Sequence, residues 1–195
     1  DAESSIHEPF RIKFSYEDDT RFDYWKRMEF TFEQWKGIKQ HCDEAGLDFI
    51  CSPFSNAAVD WLQQLDVKAY KVGSGEVNNF LLLDKIIQTG KPIIISSGMS
   101  SFDELDQVVH YLKSKATNFS ILQCTTAYPT LPHQYGLNLI AELKDRYKVT
   151  VGFSDHSAKT ATGIAAVALG AEIVEFHVVF DRTMFGPDAI ASLTI

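Results

Sequence analysis

The chain has 195 residues, 45% of them apolar, with 18 basic against 26 acidic side chains and a formal net charge of −8. That length allows one domain or a large part of one, with enough apolar mass for a sizeable core. The acidic balance argues against nonspecific nucleic-acid binding and against an anionic membrane surface, because both need a basic face; an anionic small molecule stays possible, since a local group of Lys and backbone N–H donors overrides the global sign.

Three cysteines, Cys42, Cys51 and Cys124, are an odd and irregularly spaced set. They predict reduced, mostly buried thiols of a cytoplasmic protein rather than a disulfide framework. No apolar run reaches membrane-spanning length, and Asp1 begins no signal peptide. A start at Asp1 rather than Met predicts further sequence upstream.

Residues 1–28 are charged and aromatic without a clean period, and 15–20 suggest an exposed loop or short helical turn. From Thr31 a pattern begins and repeats. Thr31 with Gln34 can cap a helix running to about Ala45, and Gly46 stops it. A strand is expected over 47–52, a helix over 56–65, a strand over 69–72, a helix over 80–89 and a strand over 92–96. Ser101 and Glu104 form a capping box for a helix over 102–115. A strand over 119–124, a helix over 137–147, a strand over 149–153, a helix over 158–169 and a strand over 172–179 complete the series.

Six strands thus alternate with helices, and the strands are continuous apolar runs, as parallel strands covered by helices should be. A doubly wound sheet and a (β/α)8 TIM barrel both give this pattern. Polar residues at nearly every strand end favour the barrel, where chemistry is drawn from many strands around a ring; an open sheet concentrates it at one switch point. Six βα units leave two strands to be found, most simply before residue 1, so residues 1–195 are expected to be a partial TIM-barrel catalytic domain.

His156 and His177 stand at the ends of successive predicted strands and can converge on one divalent metal. Imidazole suits Mn, Fe, Co and Zn, with a carboxylate or water completing the shell. Glu175 lies two residues before His177, on the same face of a strand. Asp155 adjoins His156 and is a candidate to orient it. A lone histidine at a strand end is as readily a plain hydrogen-bonded residue; two of them with a co-facing Glu shift the balance to a site.

Lys71, Gly73, Ser74, Gly75 and Glu76 form a turn whose glycines permit close backbone approach, and Lys71 with Ser74 could hold a phosphate or carboxylate. The same turn could be structural, with Glu76 simply a helix N-terminal carboxylate. Ser96 precedes Gly98 after an isoleucine-rich strand and suits either an anion site or a plain cap. Thr126 and Tyr128 follow another strand, and Pro129 holds Tyr128 extended so that its hydroxyl can be aimed. Arg182, in a charged loop containing Gly186 and Pro187, could bind an anion or pair with Asp181.

These runs together carry a resemblance. Tyr24-Trp25-Lys26, Ser52-Pro53-Phe54-Ser55, Lys71 to Glu76, Lys91 to Ser96 with Gly98-Met99, Cys124 to Thr130, Gly152 to His156, and Glu175 to Pro187 cover nearly the whole chain in order. The chain resembles the catalytic domain of the sialic acid synthase family, which includes N-acetylneuraminate synthase and its legionaminic and pseudaminic acid relatives. The resemblance implies a (β/α)8 barrel that condenses phosphoenolpyruvate with an N-acetylmannosamine-type sugar aldehyde to a nine-carbon 2-keto-3-deoxy acid and phosphate. It implies Mn2+, or another divalent cation such as Mg2+ or Co2+, on His156 and His177, with Glu175 touching the metal site through water. It implies a phosphoenolpyruvate pocket lined by Ser52, Lys71, Ser74, Thr126, Tyr128 and Ser154. In that scheme the metal polarises the aldehyde, the enol carbon attacks it, and water adds before phosphate leaves.

Three positions depart from the family pattern: Phe176 replaces a basic residue, Ala189 a frequent histidine, and Thr126 an Asn or Ser. The family's first two strands and its C-terminal antifreeze-like domain, which swaps across a homodimer and adds an arginine to the sugar site, are not visible in this sequence. Two rival readings stand beside this one: a related 3-deoxy-2-keto acid synthase acting on a phosphorylated sugar, and a noncatalytic barrel-derived binding protein.

Overall fold

The computed structural model describes residues 6, 7, 9, 10, 15 and 17–195. Expectations for the remaining residues of 1–28 lie outside the described ones. Among the latter, the chain runs α1 (Arg21–Met28), α2 (Phe32–Glu44), β1 (Ile50–Cys51), α3 (Asn56–Gln64), β2 (Ala69–Val72), α4 (Phe80–Ile87), β3 (Ile93–Ser96), α5 (Phe102–Ser114), β4 (Phe119–Cys124), α6 (Leu139–Tyr147), β5 (Thr150–Asp155), α7 (Thr160–Ala168), β6 (Val174–Phe176), β7 (Val178–Val179) and β8 (Leu193–Thr194). Short 3-10 turns occupy Ser74–Glu76, Pro132–Gln134 and Ala189–Ala191. No described helix is long and apolar enough to cross a membrane.

Strands β1 to β6 form one parallel sheet whose spatial order follows the sequence. A doubly wound sheet reverses its order at a switch point; a barrel never does. This is an open, incomplete barrel, with β1 and β6 as its two edges. Each strand turns alternate residues to opposite faces. Tyr70, Val72, Ile93, Ile95, Ile121, Val151 and Phe153 point to the helix layer, where they join Val59, Leu62, Leu83, Ile86, Val108, Leu112, Ile140 and Leu143 in one core. Burying each such side chain stabilises the fold by about 1.5–3 kcal/mol.

The helices start where their capping residues dictate. Thr31 with Gln34 and Ser101 with Glu104 both form complete capping boxes. Ser55 and Asn79 cap α3 and α4 by accepting the N–H groups of Ala58 and Leu82.

Two features differ from the sequence expectation. Residues 21–28 form α1, capped by Thr20. Its only buried residue is Tyr24, so no apolar stripe announces it. The expected single strand over 172–179 is also split. β6 pairs with β5 only as far as Asp155↔Phe176, because the chain then leaves β5 for a turn at Ser157. Beyond that point β7 pairs with β8 instead, and the Leu193 N–H donates to the His177 carbonyl at 2.8 Å. His177 therefore sits at the change of partner.

Gly152 shows how tightly the inner face is filled. A Cβ there would lie 2.6 Å from Leu122 Cδ2 and 2.7 Å from Ile173 Cβ, and would also meet the Ile173 carbonyl oxygen. Backbone cannot move aside as a side-chain tip can, so Gly152→Ala is expected to cost about 1–3 kcal/mol. Urea unfolding would show it as a lowered midpoint; an unchanged midpoint would mean that β5 and β6 adjust freely.

Candidate active site

The sheet's inner face carries a row of polar residues near the strand ends. Lys71 rises from β2, Ser96 from β3, Cys124 from β4, Ser154 from β5 and Glu175 from β6. Register brings Cys124 opposite Ser154 and Ser154 opposite Glu175. Lys71 Nζ donates to Ser96 Oγ at 2.8 Å and lies 3.3 Å from Glu175 Oε1. Ser154 Oγ donates to the same carboxylate oxygen at 2.7 Å. The lysine side chain is only 12% exposed, so its ammonium is largely shielded from water and held in place before any ligand arrives.

Beside this group lies a second cluster. The Gly98 N–H donates to Ser74 Oγ at 3.1 Å, and Ser74 Oγ lies 3.6 Å from Cys124 Sγ. A Cβ on Gly98 would collide with Thr126 Oγ1, Ser74 Oγ and Cys124 Sγ, all within 2.9 Å. Glycine at 98 is what leaves these groups room to converge.

The two histidines are brought together. Their ring centroids are 5.3 Å apart, and Tyr128 covers both, 4.1 Å from His156 and 5.9 Å from His177. His156 Nδ1 lies 3.0 Å from the Thr125 carbonyl oxygen. A carbonyl can only accept, so Nδ1 carries the proton and Nε2 keeps a free lone pair. Burial pushes the His156 pKa below its usual value; the Thr125 carbonyl opposes the shift and His177 reinforces it. The ring is thus held in its neutral form, the one that binds metal. Burial also pushes the Tyr128 phenol up to about 12, with Cys124, Asp188 and Glu175 adding to the shift.

A metal about 2.1 Å from one nitrogen of each ring would set the centroids roughly 5 Å apart, so the observed separation suits a shared ion. Among the described residues no group of three or more His, Cys, Asp or Glu is placed to hold a metal. Glu175, expected to touch the metal site through water, lies 3.3 Å from Lys71 Nζ and accepts the Ser154 hydroxyl. Among the described residues, the candidates for such a site are the two imidazoles.

Several expected site residues are occupied elsewhere. Asp155 follows Ser154 on β5 and so faces the helix layer; its carboxylate accepts the Ser157 N–H and hydroxyl, both at 2.9 Å, and no hydrogen bond joins it to His156. Arg182 pairs with neither Asp181 nor the polar row. Its guanidinium donates to the carbonyls of Ser192 (3.1 Å) and Ala158 (2.9 Å), while Asp181 caps Thr183. Glu76 accepts from Asn79 at 2.9 Å, within the turn. Ser52 lies at the end of β1, half-buried. Asp188 is a residue that strand-end reasoning misses: its Oδ2 is 4.0 Å from His177 Nδ1, from a loop 11 residues further on.

The model of the NeuB family matches residues 2–195. The human N-acetylneuraminate-9-phosphate synthase is 37% identical over 190 residues, which cover 97% of this chain and 53% of that protein. The N,N'-diacetyllegionaminic acid synthase of Campylobacter jejuni is 35% identical over 188 residues, covering 95% and 56%. The chain spans about half the length of the curated relatives it matches. A crystal structure of the N-acetylneuraminic acid (sialic acid) synthetase of Leptospira borgpetersenii, in complex with citrate, superposes with a TM-score of 0.89 at 29% identity, covering 99% of this chain and 65% of that one.

Proposed function

Because the chain belongs to the NeuB family, we propose that it supplies the phosphoenolpyruvate and metal side of a barrel synthase that joins phosphoenolpyruvate to an N-acetylmannosamine-type sugar aldehyde. The products are a sialic-acid-like 2-keto-3-deoxy nonulosonic acid and phosphate. The observation that carries this reading is the pre-placed Lys71 ammonium, paired with Glu175 on the strand just before His177, together with two imidazoles whose centroids are 5.3 Å apart. A cation shielded from water suits a doubly anionic ligand, and paired imidazoles suit a divalent ion.

In this reading Lys71, Ser96 and Ser154 take the carboxylate of phosphoenolpyruvate. Ser74, Thr126 and the room left by Gly98 take its phosphate, with Ser52 at the rim. His156 through Nε2, with His177, would hold Mn2+ or a similar ion, whose chemistry there is Lewis acidity toward the aldehyde oxygen. Tyr128 closes one side of the imidazole pair and excludes water from it. Glu175, held by Lys71 and Ser154, accepts the proton of the water that adds at the former enol carbon. A homodimer and a cytoplasmic location belong to the same proposal.

The acceptor is the open half of the reading. Relatives named for a 9-phosphate product and for a legionaminic acid match at nearly equal identity, so a phosphorylated acceptor is the second reading. A panel of aldehydes assayed for phosphate release with phosphoenolpyruvate and Mn2+, on the full-length gene product, separates them. Release with N-acylated, non-phosphorylated sugars is the expected result. Release only with phosphorylated sugars would overturn the acceptor assignment, and no release from the folded protein would favour a binding module.

A further inference from the structure

Helix α1 lies against the loop that follows the second histidine. Arg27 forks onto Asp18, with Nε donating to Oδ1 at 3.0 Å and Nη2 to Oδ2 at 2.6 Å. Asp18 is buried and also accepts the Ser15 hydroxyl. Two parallel bonds of this kind fix the plane of a guanidinium as well as its position. That plane lies against two rings: Arg27 Cζ is 5.8 Å from the centroid of Tyr24 and 5.8 Å from that of Phe185, and the two rings are 6.2 Å apart. Tyr24 is the buried residue of α1, whereas Phe185 belongs to the loop, three residues before Asp188.

Among the described residues, few side chains from outside the loop hold its tip. The loop's own hydrogen bonds are local turns, such as Met184 N–H to the Asp181 carbonyl and Ala191 N–H to the Asp188 carbonyl, and the buried Ser192 hydroxyl donates to the Asp188 carbonyl at 2.8 Å, which fixes the backbone there but not the carboxylate. Arg182 pins its base to Ser192 and Ala158. Its tip is gripped from outside by Tyr24 and Arg27. Asp188 then lies between α1 and the site: its carboxylate approaches His177 to 4.0 Å, and its charge helps raise the pKa of both Tyr24 and Tyr128.

We propose that α1 is a clamp on the 181–188 loop, with Arg27 as a positioning residue that holds Asp188 beside His177 and thereby shapes the sugar side of the site. The kinetic part of this proposal rests on the synthase reading above; the structural part does not. Lys71, Ser96, Ser154 and Glu175 form their contacts without the loop, so the clamp should act on one substrate and not on the other.

The test compares Arg27→Ala and Arg27→Lys in the full-length gene product. Hydrogen exchange of the amides from Met184 to Ala191 is expected to quicken about tenfold in Arg27→Ala, with the β5 amides unchanged. The KM for the sugar should rise by about tenfold or more while the KM for phosphoenolpyruvate stays put. Arg27→Lys, which keeps the charge and loses the fork, should fall between the two. Unchanged exchange in the loop would overturn the clamp. So would a parallel rise in both KM values, which is what general loosening of the fold produces. If the protein shows no synthase activity with any sugar, the exchange measurement alone decides the structural claim.

Discussion

Replacing His156 by alanine is expected to abolish tight Mn2+ binding and to lower the rate of condensation about a thousandfold or more, equivalent to roughly 4 kcal/mol of transition-state stabilisation. The size of the effect follows from how the ring is held. Its Nδ1–H is committed to the Thr125 carbonyl, its protonation is suppressed by burial, and Tyr128 stacks on its face. Nε2 is thereby presented as a neutral ligand with little freedom left to lose. Truncation removes one of the two imidazoles proposed to hold the metal and also one of the donors to the Thr125 carbonyl, which keeps the Ala127 N–H at 2.9 Å. The second consequence costs about 0.5–1.5 kcal/mol of stability, so the variant should be folded yet measurably less stable. Binding of Mn2+ followed by electron paramagnetic resonance separates the two effects. A folded His156→Ala protein with undiminished Mn2+ affinity would remove this residue from the metal site.

Replacing Lys71 by methionine should act on the other substrate. The substitution keeps the length of the stem and deletes the charge, leaving the Glu175 carboxylate with Ser154 as its remaining partner in this group. In the proposed site the phosphoenolpyruvate carboxylate would then enter a pocket that still holds Glu175 but no countercharge. Losing a charge-assisted hydrogen bond to the ligand costs about 1.5–3 kcal/mol, so the KM for phosphoenolpyruvate should rise about tenfold to a hundredfold. Sugar KM and Mn2+ affinity should change little. Arginine would not restore function, because its planar fork cannot occupy the compact position between Ser96 and Glu175. Initial-rate kinetics with each substrate varied in turn checks this. Equal losses toward both substrates would show that Lys71 supports the fold rather than the ligand. Together with Arg27→Ala, the variants predict opposite selectivities: Lys71 on the phosphoenolpyruvate side and Arg27 on the sugar side.

How far the sequence reveals this arrangement depends on the range of the interactions involved. Caps act within four residues, and both capping boxes lie where Thr31, Gln34, Ser101 and Glu104 place them. The isoleucine run before Ser96 and the apolar run before Cys124 mark β3 and β4 because strands buried on both faces need continuous apolar residues. Helix α1 has no such signature. It is anchored by Tyr24 and by Arg27 contacts to Asp18 and Phe185, the last of which is distant in the chain. The split at His177 is equally silent, because a change of pairing partner leaves no local trace. Asp155 is a matter of parity: β5 extends through Asp155, and alternation then turns it away from Ser154 toward the helices. Arg182 spends its donors on the carbonyls of Ser192 and Ala158, which no side-chain pattern encodes. The two histidines and the polar row of Lys71, Ser96, Ser154 and Glu175 are legible as candidates because they recur at strand ends. Asp188 is not, because it reaches His177 from a loop.

The central claim is carbon–carbon bond formation between phosphoenolpyruvate and a sugar aldehyde at this strand-end cluster. It is tested most directly by incubating the full-length gene product with Mn2+, the acceptor panel and phosphoenolpyruvate labelled with carbon-13 at C2, then following the label by NMR. The account predicts that the label moves into the ketose carbon of a new 2-keto-3-deoxy acid as inorganic phosphate appears, and that both changes vanish in His156→Ala. Label recovered only in phosphoenolpyruvate or pyruvate, with every acceptor tried and with the protein folded, would contradict it.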